Sequence, residues 1–339
     1  MNCLSYFGLK VRRGRFSFTM RILITGGFGF VGGRLAVHLA GAGHQIILGS
    51  RNAVNPPVWL PQADVAQIKW DDDLALESSC NGIGVVIQAA GMNAQDCNAD
   101  PVAALSINGV ATARLVAAAS RAGVKKFIYL STAHVYASPL VGSITEETCP
   151  RNLHPYATSH LAGEHAVLSA SHRGEIEGIV LRLSNTFGAP MHKQVNCWML
   201  LVNDLCKQAV QSHKLVLQTS GLQQRDFIGL TDVCRVVKYF AVDNSAMQSG
   251  IFNVGAGGAR SVHTMAQLVQ KRCAYVLGFE PLLQRVNGGL HEHPQVLTYK
   301  SDNLAVLGIN LTSLDNTAEI DNLLRFCQST FTQIQCPTA

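Results

Sequence analysis

No uninterrupted apolar run in this 339-residue chain reaches the roughly eighteen residues that a membrane helix needs, so no span is expected and the protein reads as soluble. No C-x-x-C pair occurs among its ten cysteines (Cys3, Cys80, Cys97, Cys149, Cys197, Cys206, Cys234, Cys273, Cys327 and Cys336). Their scatter argues against a zinc site and against a disulfide framework, and reduced thiols in a cytoplasmic protein are the expectation. Charge is scarce at 14%, and the net +5 is spread along the chain rather than gathered into a basic block, Lys10 to Arg15 excepted, so no nucleic-acid partner is indicated. What is abundant is apolar side chain, 47% of the total, enough for one large α/β domain and a smaller lobe.

Residues 1–19 contain no acid and four basic residues, Lys10, Arg12, Arg13 and Arg15. Their apolar stretch is too short and interrupted for a signal peptide. The segment reads as a disordered or non-native extension, with the functional chain starting at Met20.

From Met20 the pattern alternates strand and helix, which predicts a parallel sheet wound on both faces. Strands are expected at Ile22–Ile24, Gln45–Leu48, Ala66–Trp70, Gly84–Gln88, Lys126–Leu130 and Gly178–Leu183. Helices are expected at Gly32–Gly41, Ala103–Ala122 and Asn196–Ala209. The character changes after Gly188, so residues 20–188 read as a dinucleotide-binding domain. Residues 189–339 read mainly as a substrate lobe with some segments returning to the first domain.

The stretch R-I-L-I-T-G-G-F-G-F-V-G-G-R-L from Arg21 to Leu35 organises that domain, with Gly26, Gly29 and Gly32 spaced G-x-x-G-x-x-G between a strand and a helix. In such a context the first glycine allows a tight turn, the second lets backbone approach a pyrophosphate, and the third lets the helix pack closely. Phe30 and Val31 open the helix whose N–H groups would face the phosphates. Where the second strand ends, an acid would suit the ribose of NAD and a base the 2′-phosphate of NADP. The chain has Gly49, Ser50 and Arg51 there, which favours NADP over NAD unless Arg51 is simply a solvated loop charge. Asp71 is a candidate partner for the adenine amino group, and Ala89, Ala90 and Gly91 are small enough to lie against a coenzyme.

The fifth strand runs into S-T-A-H-V-Y (Ser131–Tyr136), and P-Y-A-T-S-H-L-A-G-E (Pro155–Glu164) follows. A tyrosine opposite a hydroxyl donor can move a proton to or from a carbonyl or carbinol while a nicotinamide moves the hydride, given something to lower its pKa from about 10. With Asn108, Leu181–Gly188 (L-R-L-S-N-T-F-G), Arg225–Asp232 (R-D-F-I-G-L-T-D) and Phe252–Gly255 (F-N-V-G), these motifs resemble the extended short-chain dehydrogenase/reductase family, the NAD-dependent epimerase/dehydratase group acting mainly on nucleotide sugars.

The resemblance implies a doubly wound Rossmann fold and a nucleotide-sugar-like substrate. It matches Tyr156 to the acid/base tyrosine and Thr132 to the hydroxyl residue that bonds the reacting oxygen. Asn108 falls at a coenzyme-side position; Asn185 and Arg225 match substrate contacts, the arginine pairing with a diphosphate. Bland alternatives stand beside these: a turn role for Asn185, and pairing of Arg225 with Asp226 or Asp232. Family members often dimerise through a helix bundle that includes the helix after Tyr156, so a homodimer is possible.

One departure matters most. The family motif is Y-x-x-x-K, and the lysine position holds His160, with no lysine between Lys126 and Lys193. Residues i and i+4 share a helix face, so the imidazole points where the ammonium would, but it is largely neutral at pH 7. It can bond the ribose yet supplies little charge, which leaves Tyr156 protonated and favours the reductase direction. Dehydratases of the family carry Asp-Glu after the catalytic threonine; Ala133 and His134 stand there, so dehydration is not expected, and His134 is a substrate-side candidate or an ordinary loop histidine. The H-E-H at His291–His293 lacks a third ligand, and no metal is expected. Two readings follow: an NAD(P)-dependent oxidoreductase or epimerase, or a dinucleotide-binding or assembly protein whose turnover is impaired by His160.

Overall fold

The computed structural model describes residues 19–242, 248–285, 295–311 and 316–332. The expected N-terminal extension lies almost wholly outside them, and His291–His293, Cys3 and Cys336 lie outside them entirely. The first half is built from β1 (Arg21–Thr25), α1 (Phe30–Gly41), β2 (Gln45–Ser50), β3 (Asp64–Gln67), α2 (Asp73–Cys80), β4 (Val85–Gln88), α3 (Pro101–Arg121) and β5 (Lys126–Thr132). Next come α4 (Pro155–His172), β6 (Glu177–Leu183), α5 (Leu201–Ser212), α6 (Leu230–Val242), β7 (Gly250–Val254), α7 (Val262–Leu277) and α8 (Thr317–Phe331).

The seven β-strands form one parallel sheet in the order β7-β6-β5-β4-β1-β2-β3. Because successive side chains of a strand point to opposite faces, β1 feeds two cores. Ile22 and Ile24 pack with Leu35 and Leu39 of α1 and Val233 and Val237 of α6. Leu23, between them, packs with Leu76 of α2, Leu115 of α3 and Val167 of α4. Strands buried on both faces explain the near-continuous apolar runs, and this is the doubly wound Rossmann architecture.

Several boundaries differ from expectation by a residue or more, and at three elements the cause is visible. The third strand is Asp64–Gln67 rather than Ala66–Trp70, because after Ile68 N–H bonds the Ser50 carbonyl (2.7 Å) the chain turns at Lys69 and Asp72 caps α2. The alternation of Ala66, Ile68 and Trp70 simply outruns the ladder. The long helix starts at Pro101, ahead of Ala103, because Asp100 accepts the Ala103 N–H (2.9 Å) and proline suits the first helical position. The helix expected from Asn196 begins at Leu201, after turns that bond Cys197 N–H to Val195 and Leu200 N–H to Cys197.

Beyond Gly188 the lobe gathers α5, α7 and α8 around Phe187, Leu205, Met265, Ile320 and Leu324. Between α5 and α7 the chain returns to the main sheet as α6 and β7, while the short strands Asn185–Phe187 and Phe227–Gly229 pair in parallel. Among the described residues α3 is the one helix long and apolar enough to cross a membrane by length and composition. Half of its apolar window is buried in this fold, while Val102, Leu105 and Val110 are 76%, 50% and 51% exposed.

Candidate active site

At the mouth of α1 the three glycines have different jobs. Gly26 sits at φ +63°, and a Cβ there would lie 2.8 Å from the Ala89 carbonyl oxygen and the Ala90 nitrogen; one on Gly32 would lie 2.2 Å from the Gly26 oxygen. Both are therefore dictated by the protein's own packing. A Cβ on Gly29 would touch only Gly26, at 3.0 Å from its oxygen, and Gly29 is the N-cap of α1 with no side-chain cap bond. The result is a helix mouth with no side-chain cap bond among the described residues, flanked by the half-buried Phe30 and Val31. A dinucleotide pyrophosphate fits such a cradle.

Around that mouth the expected coenzyme-side residues fall as follows. Arg51 is exposed just past β2, and its guanidinium makes no ion pair among the described residues. Asp71 is solvent-exposed and pairs with Arg114 (3.2 Å). Ala89, Ala90 and Gly91 leave β4 next to the glycine turn, with Gly91 close to the Asn108 side chain. Asn108 is 1% exposed within a π-helical turn of α3; its Oδ1 accepts the Met92 N–H (2.8 Å) and its Nδ2 donates to Ser159 (3.0 Å). It therefore braces the loop after β4 against α4.

The start of α4 presents Tyr156. His154 caps the helix by accepting the Tyr156 N–H on Nδ1 (3.2 Å), and Pro155 occupies the first turn. Thr132 ends β5, its hydroxyl accepting the His134 N–H (3.1 Å) while lying near enough to bond the Tyr156 phenol. Tyr156 retains some solvent contact as a residue, yet burial of its phenol raises its pKa, an effect the Thr132 bond only partly offsets. One turn on, His160 is 7% exposed, and burial lowers its pKa to about 4. The imidazole is thus neutral, with Nδ1 2.9 Å from the Tyr129 hydroxyl. Among the residues in contact, no cation stands where the family's lysine would.

Behind these groups lies an arrangement missed in the sequence. Glu164, fully buried, takes a bidentate bond from Arg182 and a bond from the Ser131 hydroxyl, while the Arg182 guanidinium lies 4.7 Å over the Tyr136 ring. The available signal was an arginine in the middle of an apolar strand, a position tolerated only with a partner.

On the substrate side, His134 is packed near Arg225 and His154; burial first, then these two, lower its pKa. Burial also lowers the Arg225 pKa, and Arg225 forms no ion pair among the described residues. Neither suspected partner takes it: Asp226 bonds Ser184 (2.5 Å) and the Ala256 N–H (2.8 Å), and Asp232 pairs with Arg235 (2.8 Å). Asn185 donates through Nδ2 to the Asp226 carbonyl (3.0 Å), a bond across the pair of short parallel strands rather than the expected local turn. No group of three or more His, Cys, Asp or Glu suited to a metal occurs among the described residues.

A doubly wound sheet with an open glycine mouth at one strand tip and a Tyr–Thr pair at another defines a nucleotide-coenzyme protein of the short-chain dehydrogenase kind. The chain belongs to the NAD dependent epimerase/dehydratase family, whose model matches residues 22–255. It is 31% identical to dTDP-6-deoxy-L-talose 4-dehydrogenase (NAD(P)(+)) of Kitasatospora kifunensis over 256 residues, covering 74% of this chain and 78% of that protein. A putative UDP-glucose 4-epimerase of Methanocaldococcus jannaschii is 24% identical over 75% of this chain and 83% of its own length. In fold it resembles the Thermus thermophilus UDP-glucose 4-epimerase complex with NAD, at TM-score 0.75 and 20% identity over 91% of this chain and 99% of that one.

Proposed function

We propose that the protein is an NAD(P)-dependent oxidoreductase or epimerase acting on a nucleotide-linked sugar, with reduction of a carbonyl favoured. The observation that carries this is Tyr156 beside Thr132 at the strand tips with the buried His160 one turn on, burial raising the phenol's pKa and lowering the imidazole's. A nicotinamide coenzyme, when bound, supplies or removes the hydride. Tyr156 holds the proton that a substrate oxygen receives, Thr132 orients that oxygen by hydrogen bonding, and His160 offers its free ring nitrogen to the coenzyme ribose. Oxidation requires the phenolate, which nothing here stabilises by charge, so the two directions are unequal. Arg225 and His134 offer the sugar's diphosphate a cationic and polar wall, with Asn185 beside it. Ala133 and His134 supply no carboxyl pair for dehydration.

Finer readings rest on single features. The unpaired Arg51 and the lack of an acid at the end of β2 support NADP over NAD, with Gly26, Gly29, Gly32, Ala89, Ala90 and Gly91 lining the path. The exposed apolar face of α3 at Val102, Leu105 and Val110, alongside α4, supports a homodimer. The free thiols, seven of the eight described ones buried, support a reducing, cytoplasmic setting. A second reading, a coenzyme-binding protein impaired in turnover, is favoured by the same missing charge at His160.

The test is a titration with NADH and NADPH followed by nicotinamide fluorescence, then turnover with dTDP-6-deoxy-L-talose, its 4-keto counterpart and UDP-glucose. The reading expects coenzyme binding, and keto-sugar reduction faster than alcohol oxidation at pH 7. Faster oxidation would overturn the reductase direction, and tight binding with no turnover on the panel would select the second reading.

A further inference from the structure

The nitrogen of His160 that faces away from Tyr129 has no hydrogen-bond partner among the described residues. Whether it can donate depends on where the single proton of a neutral ring sits. That placement turns on the buried Tyr129 hydroxyl beside it, which lies behind a set of hydrogen bonds running across the sheet. The Thr25 hydroxyl at the end of β1 bonds Oε1 of Gln88, which fixes the amide so that its Nε2 donates to the Thr112 hydroxyl (3.1 Å). The Thr112 hydroxyl keeps its own proton and one further lone pair. Burial drives the Tyr129 phenol well above its ordinary pKa, the Thr112 side chain opposing the rise, so the phenol keeps its proton. That retained proton has two acceptors within reach. Its nearer acceptor is Nδ1 of His160 at 2.9 Å, against 3.4 Å for the Asn108 carbonyl. Gly163 makes the arrangement possible, since a Cβ there would lie 2.7 Å from the Tyr129 hydroxyl.

We propose that Tyr129 is a positioning residue that holds His160 as its Nε2–H tautomer, so that an uncharged ring presents a donor where the family's lysine would present an ammonium. The inference rests on the coenzyme reading above, and it explains how a histidine serves there without charge: the Nε2–H tautomer donates to a ribose oxygen as the ammonium would, whereas the opposite tautomer could only accept from a ribose hydroxyl. Thr25, Gln88 and Thr112 act through Tyr129 and are never in contact with a ligand in this scheme.

The test is a histidine-selective ¹⁵N correlation spectrum of the coenzyme-free protein at neutral pH, with wild type and Tyr129→Phe compared, and with backbone amide spectra as the control for fold. The wild type is expected to show His160 with a protonated Nε2 and a bare Nδ1, and Tyr129→Phe to show a mixture of tautomers. NADH affinity should fall roughly three- to ten-fold in the variant, the effect of one ordinary hydrogen bond. A wild-type spectrum with Nδ1 protonated overturns the proposal even if the variant does not fold, as does an unchanged tautomer in a folded variant. A wild type that shows the Nε2–H tautomer but binds neither NADH nor NADPH supports the hydrogen-bond chain and overturns the coenzyme reading instead.

Discussion

The rings of Tyr156 and His160 meet edge to face, centroids 4.6 Å apart, one turn apart on the same helix. In that place a protonated side chain would act directly on the phenol. The burial that keeps His160 neutral removes that action, and burial of the phenol itself then dominates its ionisation. Two effects of one apolar environment thus point the same way, toward a tyrosine that stays protonated at neutral pH and is scarcely present as the phenolate base.

His160→Lys should reverse this. At an effective dielectric of about 20, a unit charge some 4 Å away is worth about 4 kcal/mol, or roughly three pKa units. Burial will hold back part of the new ammonium's protonation, so a downward shift of about one unit or more is expected for the Tyr156 limb of the pH–rate profile in the oxidation direction. Turnover at pH 7 should rise. An unchanged or lower rate, in protein that still binds coenzyme, would count against the account of the missing charge.

The same histidine ties stability to pH. Its pKa is about 4 in the fold against an ordinary 6.5, so the unfolded chain takes up a proton that the folded one refuses. The stabilisation is therefore complete above pH 6.5 and is lost as pH falls toward 4, by about 3 kcal/mol in all. Urea unfolding of wild type and His160→Gln between pH 7 and 4 should show the difference between the two curves shrinking in the acid. Parallel curves would mean that His160 takes up its proton as readily in the folded protein as in the unfolded chain.

How far the sequence carried this reading depends on the kind of signal. Ile22–Ile24, Lys126 and the glycine spacing announced the sheet because strands buried on both faces leave runs of apolar residues and because close backbone contacts admit only glycine. That Tyr156, His160 and Thr132 come together was legible, because residues four apart share a helix face and the fifth strand ends beside that helix. Ala66–Trp70 misled because alternation persists past the point where Ile68 ends the ladder and the chain turns. Arg182 and Glu164, or Tyr129 and His160, were illegible as pairs: they sit 18 and 31 residues apart and are joined only by the docking of α4 on the sheet. Tyr129 read as one more aromatic in a strand, since nothing local distinguishes a hydroxyl with a task from one that is merely buried.

The Glu164–Arg182 pair should prove costly to break from one side. Both side chains are almost completely buried, 0% and 3% exposed, and burial lowers the Arg182 pKa while the bonds from Glu164 more than restore it. Arg182→Met alone leaves a buried carboxylate with only Ser131 for company, and a loss of about 3–5 kcal/mol in chemical unfolding is expected. Adding Glu164→Gln should recover part of it. If the single variant lost under about 1 kcal/mol, water must reach Glu164 and the burial would be overstated.

Arg225 offers the sharpest separation of binding from folding. It sits partly buried, with its pKa lowered by burial and no ion pair among the described residues, so its charge is held at a disadvantage until an anion arrives. Removing it should therefore leave unfolding by urea unchanged or slightly strengthen the fold, unlike the loss of Arg182. Binding should respond in the opposite sense: charge-assisted hydrogen bonds contribute about 1.5–3 kcal/mol, so Arg225→Ala is expected to weaken UDP binding roughly 10- to 150-fold by calorimetry. With a sugar substrate the loss should appear in KM far more than in kcat, because the diphosphate is bound equally in ground and transition states. Arg225→Lys keeps the charge but not the fork and should fall between the two. Unaltered UDP affinity in Arg225→Ala would remove Arg225 from the substrate wall and leave its unpaired burial without a function.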